Sequence, residues 1–150
     1  MSPSHWGPPT WIFFHTLAEK IKEESFPLIG AQLLLVIIQM CSNLPCPDCA
    51  AHAKQFWLKV NKANIKTKND LINILFVFHN TVNMRRRAPA FKYVDLQYYK
   101  TKNLIVTYNQ FSKHFNTKGN MSLINESFHR NLMLTKLRTW LMRNIQHFAM

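Results

Sequence analysis

The stretch NLPCPDCAAHAKQF, Asn43 to Phe56, carries two of the three cysteines in the chain. Cys46 and Cys49 form a C-x-x-C, with Pro45 ahead of the first and His52 three residues past the second. A residue before proline is pushed out of the helical region, so NLPCP reads as a compact turn. Pro47 costs little in a first helical turn, where its missing N–H would be unpaired anyway. The stretch therefore predicts one helix ending before Pro45 and another running from about Cys46 to Val60. Sulfurs at a helix start are placed for redox chemistry, because the free N–H groups and the dipole stabilise a thiolate. Zinc is the alternative: Cys41, Cys46, Cys49 and His52 supply a Cys₃His set. That module would use the positive charge of the chain on nucleic acid. Against it, Cys41 falls near the end of an apolar helix, before the turn, and the core is large enough to fold without metal.

Working outward, the pattern is helical nearly throughout. A first helix is predicted from about Pro9 to Glu24, with Trp11, His15, Ala18 and Lys22 on one face and Phe14, Leu17 and Ile21 continuing the apolar stripe. Pro27 breaks the chain, and a second helix covers about Leu28 to Ser42. NKANIKTKND is a polar loop whose Asn69 or Asp70 caps a fourth helix, which runs to about Arg86 and is ended by Pro89. KYVDLQYYKTK adds one short helix. NLIVTYNQF is ambiguous between strand and helix, and HFNTKGN is a loop. From about Ser122 to Phe148, Ile124, Phe128, Leu132, Leu137, Leu141, Ile145 and Phe148 recur at helical steps, which makes an amphipathic helix. The fold class expected is all-α: a four-helix bundle with a short fifth helix over residues 1–100. Residues 101–150 form a C-terminal helical extension, packed on the bundle or on a partner subunit.

The 150 residues fit one domain, and 47% hydrophobic composition supplies a core. Nineteen Lys+Arg stand against seven Asp+Glu, a formal charge of +12. Such a surface attracts nucleic acid, anionic membranes, acidic proteins or a phosphate-bearing cofactor. The basic residues are spread along the chain, which weakens the nucleic-acid reading. The start MSPSHWGPPTW lacks the basic-then-apolar pattern of a signal peptide. The most apolar run, Leu28 to Met40, is interrupted by Gln32 and Gln39 and is shorter than the ~20 residues of a membrane span. Neither a transmembrane helix nor membrane contact is expected. Cys41 is expected to be a buried free thiol.

A bare dithiol only shuttles electrons, so a bound cofactor is the natural question. Trp11 and His15 lie one turn apart, as do His52 and Phe56. FVFHNTVNMRRRAPAF places His79, Asn80 and Asn83 along about one turn and then three arginines. Together these describe an aromatic cradle, polar groups for the edge of a heterocycle, and cations for a pyrophosphate.

HWGPPTWIFFHTLA, LPCPDCAAHAKQF and FHNTVNMRRRAPAF, in that order and spacing, resemble the Erv/ALR family of FAD-linked sulfhydryl oxidases. The resemblance covers about His5 to Phe91. It is strongest to the short forms of large cytoplasmic DNA viruses of the poxvirus and African swine fever type. It implies a four-helix bundle with a short fifth helix and FAD at one end. It implies that Cys49 is the flavin-proximal sulfur, donating electrons through a thiolate–flavin interaction, and that Cys46 is attacked by substrate. Trp6, Gly7, Trp11 and His15 would line FAD on the first helix, and His52 and Phe56 on the third. His79, Asn80, Val82 and Asn83 match the H-N-x-V-N of the family and would contact the adenine or ring system. Pro8 stands where the family has an arginine, and Ala88 where it has a lysine. Arg86 and Arg87 are therefore expected to supply the missing cations near FAD, with Arg85 a further candidate. No metal is implied. The implied reaction turns two protein thiols into a disulfide and O₂ into hydrogen peroxide. The partners implied are a protein dithiol substrate or a thioredoxin-like relay protein, and a second copy in a homodimer. The implied location is host cytoplasm or virion.

Overall fold

The computed structural model describes residues 3–116 and 124–150, with side chains from His5 to Asn116 and from Phe128 onward. Seven helices carry the described residues: α1 (Pro3–Lys20), α2 (Phe26–Cys41), α3 (Pro47–Lys59), α4 (Lys68–Arg85), α5 (Gln97–Lys100), α6 (Leu104–Phe115) and α7 (Ile124–Arg143). Among those residues the only β-type pairing is one antiparallel bridge between Ile21 and Phe148.

α1 begins ahead of the expected Pro9. Trp6 is buried and anchors the first turns, and the Thr10 hydroxyl donates to the Trp6 carbonyl at 2.7 Å. α1 stops at Lys20, short of Glu24, and a 3₁₀ turn at Glu23–Ser25 leads into α2. Pro27 falls in the first turn of α2, where it starts the helix rather than breaking the chain ahead of it. α3 follows the prediction closely. Its N-cap is Cys46, whose sulfur accepts from the Cys49 N–H.

The cap of α4 differs from the expectation. Thr67 is the N-cap, its hydroxyl accepting from the Asp70 N–H at 3.1 Å, while the Asp70 carboxylate accepts from the Thr67 N–H at 3.1 Å. This reciprocal box satisfies two otherwise unpaired donors. At the other end the stop is set by Arg87, not by Pro89. Arg87 takes the left-handed region at φ 57, and the Ala88 N–H bonds the Asn83 carbonyl at 2.8 Å.

NLIVTYNQF is helical. Asn103 caps α6 through its side chain, and Leu104, Thr107, Tyr108, Phe111 and Phe115 are buried at helical spacing. The predicted loop HFNTKGN begins later than expected, since His114 and Phe115 still belong to α6; its residues 117–120 lie outside the described residues, as do 122 and 123 of the predicted last helix. α7 ends at Arg143, before Phe148, and a 3₁₀ turn at Ile145–His147 follows. The apolar face of α7 is also rotated from the expected one. Phe128 and Leu132 are exposed, whereas Met133, Leu134, Leu137 and Leu141 are buried.

One core joins these elements. Phe13 and Leu17 of α1, Ile21 just past its end, Leu33 and Ile37 of α2, Trp57 of α3, and Leu71 and Leu75 of α4 are all within 1% of full burial. Phe111 and Phe115 of α6 and Leu137 and Leu141 of α7 belong to the same cluster. Burying one such side chain stabilises the fold by about 1.5–3 kcal/mol. Polar contacts fix the C-terminal region on the bundle: Trp140 donates to the Gln32 side chain at 3.1 Å, and the His147 ring meets the Ser25 hydroxyl at 2.9 Å. The segment Glu23–Cys41 is 19 residues long with mean hydropathy 1.6, long and apolar enough to cross a membrane. Half of it is buried inside the protein, as a central core helix would be. The expectation from Leu28–Met40 alone undercounted its length.

Candidate active site

Three helix faces and the end of α2 enclose a cavity of about 290 Å³. Each face keeps the helical period. α1 supplies Trp6, Gly7, Thr10, Trp11 and Phe14. α3 supplies Cys49, His52, Ala53, Phe56 and Lys59, with Gln55 beside them. α4 supplies Phe78, Thr81, Val82, Arg85 and Arg86. Cys41 and Leu44 close it from the end of α2 and the turn behind it.

The walls are mostly flat and apolar, and every ionisable group of fixed charge among them is a cation. That donor set fits a flat heteroaromatic ring carrying an anionic tail. Two further observations agree with such a guest. The Trp6 Nε1 is buried without a hydrogen-bond partner among the described residues, a donor waiting for an acceptor. Gly7 faces open space, with no heavy atom within 4 Å of where a Cβ would stand. The residues present therefore fit FAD.

The dithiol sits at the edge of this cavity. Cys46 is the N-cap of α3, and its sulfur accepts from the Cys49 N–H at 3.2 Å. Cys49 lines the cavity and Cys46 does not. Both are free thiols and both are partly buried. Burial pushes the Cys49 thiol up to about 11; the adjoining Cys46 sulfur adds to the rise, and the Arg85 guanidinium opposes it. The sequence predicted stabilised thiolates at this helix start. At Cys49 the apolar wall outweighs the dipole, because desolvation disfavours the charged form.

Other expected cofactor residues lie behind the cavity rather than on it. The His15 Nε2 and His79 Nδ1 atoms are hydrogen-bonded at 2.9 Å. The His79 ring is sandwiched between Trp11, at 4.0 Å and 6°, and Phe91, at 4.7 Å and 17°. His15 stacks on Tyr99 at 4.5 Å. Burial lowers both histidines, His15 to about 3 and His79 to about 4, so both rings are neutral at pH 7. Asn80 staples the returning chain: its amide donates to the Phe91 carbonyl at 2.9 Å and its oxygen accepts from the Phe91 N–H at 2.7 Å. The Asn83 amide donates to the Pro89 carbonyl at 3.2 Å. Of the expected arginines, Arg85 and Arg86 line the cavity and Arg87 does not.

Thr10, Phe14, Gln55, Lys59, Phe78 and Thr81 were missed by the sequence reading. Helical periodicity was the available signal, since Phe78, Val82 and Arg85 lie on one face, as do Cys49, His52, Phe56 and Lys59. Cys41 is buried as expected, its thiol pushed up to about 12, and it also lines the cavity. The proposed zinc set does not assemble: among the described residues no group of three or more His, Cys, Asp or Glu is placed to hold a metal.

The sequence model of the Erv1 / Alr family matches residues 8–103. A probable FAD-linked sulfhydryl oxidase of fowlpox virus (strain NVSL) is 30% identical over 105 residues, covering 70% of this chain and 100% of its own length. Probable FAD-linked sulfhydryl oxidases of variola virus and of vaccinia virus (strain Copenhagen) are 29% and 27% identical over 92 residues, 61% of this chain and 90% of their own. No solved structure matches the chain significantly.

Proposed function

The chain belongs to the Erv1 / Alr family, and on that premise we propose how its geometry works as an FAD-linked sulfhydryl oxidase acting on protein dithiols. One observation carries the reading: Cys49 opens into the aromatic, cation-rimmed cavity that fits FAD, while its partner Cys46 does not line that cavity. Division of labour between the sulfurs follows. In the oxidised pair, a substrate thiolate attacks the Cys46 sulfur, forming a mixed disulfide and releasing Cys49 as the leaving group. A second substrate thiol then attacks the substrate sulfur of the mixed disulfide, forming the product disulfide and freeing Cys46. Two electrons and two protons have moved from substrate to the pair.

Arg85 lowers the cost of the Cys49 thiolate and so assists its departure. Trp6, Trp11, Phe56 and Phe78 exclude water from the space beside Cys49, and Lys59, Arg85 and Arg86 rim it with positive charge. Bound there, FAD would supply a two-electron acceptor for the reduced pair, with O₂ as the final acceptor and hydrogen peroxide as its product. Replacing Cys49 with Ser tests the assignment. Dithiothreitol oxidation should fall to background while the protein keeps its yellow flavin; undiminished turnover would overturn the role given to Cys49.

A further inference from the structure

α7 lies outside the matched family segment, yet it builds part of a second cavity beside the dithiol turn. This groove, about 320 Å³, runs along Asn43, Leu44 and Pro47 on one side and is closed by His129 and Arg130 of α7, with Lys54 of α3 also on its wall. Cys46, itself partly buried, falls in the chain between two of these wall residues, Leu44 and Pro47, so the groove flanks the turn that carries it. Leu44 is shared with the flavin cavity, so the two spaces adjoin at one turn. Among the described residues no acidic side chain lines the groove; its charged side chains are Lys54 and Arg130, with His129 beside them. Arg130 is 3% exposed, a guanidinium held in the wall rather than waving in solvent. Lys54 and His129 are exposed at the mouth.

We propose that this groove is the substrate-docking site, and that it takes an extended segment of a protein dithiol in which carboxylates flank the reacting cysteine. The inference rests on the thiol-oxidase reading and deepens it by naming the substrate class. Charge complementarity argues for the occupant: a basic channel beside the attacked sulfur attracts an acidic segment and repels a basic one. The wider +12 charge of the chain adds long-range attraction of the same sign preference.

Two peptides test it, each carrying a reduced Cys-x-x-Cys, one flanked by glutamates and the other by lysines. Fluorescence anisotropy on versions with Ser in place of Cys reads docking alone, and kcat/KM on the thiol forms reads productive docking. At low salt the wild-type protein should prefer the acidic peptide by roughly tenfold or more in both assays. The double variant Lys54→Glu/His129→Glu, at two exposed positions, should cut that preference severalfold, leaving the smaller bias of the overall charge. Equal binding of the two peptides by wild type, or an acidic preference undiminished in the double variant, would overturn the groove. Wild-type oxidation of dithiothreitol is measured alongside. Its absence would overturn the oxidase reading and this inference together, a failure distinct from loss of peptide preference alone.

Discussion

Replacing His79 with Phe removes one of two buried histidines that are neutral in the folded protein. Both pKa values are lowered, to about 3 at His15 and about 4 at His79, from an ordinary value of 6.5. The unfolded chain therefore binds protons that the native state refuses. Their contribution to stability is complete above pH 6.5 and is lost as pH falls below it, down to the lowered values. One pKa unit is worth about 1.4 kcal/mol. Between pH 8 and pH 5 each histidine therefore costs about 2 kcal/mol, and the pair about 4 kcal/mol. Glu19 works in the opposite direction, since burial raises its carboxyl and its penalty is relieved as pH falls. Comparing two proteins cancels that contribution. In the His79→Phe variant the new phenyl ring would fill the slot between Trp11 and Phe91, and only His15 remains to titrate. Urea unfolding of the flavin-loaded proteins at the two pH values reads the difference from the midpoints. Wild type should lose about twice as much stability as His79→Phe. Equal losses in the two proteins, or a wild type as stable at pH 5 as at pH 8, would refute the buried neutral pair.

Arg85→Ala should raise the Cys49 thiol further and slow dithiothreitol turnover roughly tenfold, the size of one lost charge-assisted hydrogen bond; the pH profile of iodoacetamide alkylation checks the direction, and an unmoved profile would remove Arg85 from the site. Gly7→Leu should fill the open space over α1 and lower the flavin-to-protein absorbance ratio, and full flavin retention would show that the cofactor lies elsewhere. Leu137→Ala, at a side chain 4% exposed in the shared core, should cost about 2–5 kcal/mol in urea unfolding. A negligible loss would mean that α7 is not part of the cooperative fold.

The helices were legible because prolines and apolar periodicity mark them. Pro45 and Pro47 delimit the turn that starts α3, and the buried Ile29, Leu33, Leu34, Ile37 and Met40 of α2 recur at helical spacing. Their ends were less legible, because ends are decided by local bonds that composition does not display. Thr67 was passed over as a cap although its reciprocal partner Asp70 stands three residues on. Arg87 stops α4 by taking a left-handed conformation that no propensity favours. NLIVTYNQF stayed ambiguous because its β-branched start suits a strand, while the buried spacing of Leu104, Tyr108, Phe111 and Phe115 is helical. In α7 several apolar stripes were available, and tertiary packing selected the one through Leu134, Leu137 and Leu141.

Within the site, residues were legible where chemistry is visible in the residue type, as at Cys46, Cys49, Trp11, His52 and Phe56. The lining contributed by Phe14, Phe78 and Lys59 was hidden, since such residues read equally as core or as surface. Asn80 and Asn83 illustrate the converse. Their amides were read as contacts to a heterocycle, and in the structure they hold the chain from Pro89 to Phe91 against α4. That segment presses Phe91 onto His79 and so shapes the wall of the site from behind.

The visible absorption spectrum of the purified protein, recorded before and after dithiothreitol and again in air, tests the central claim most directly. The account predicts a flavin band that bleaches with the dithiol and returns with oxygen as peroxide accumulates. A colourless protein, or a flavin band that dithiothreitol leaves unchanged, would contradict it.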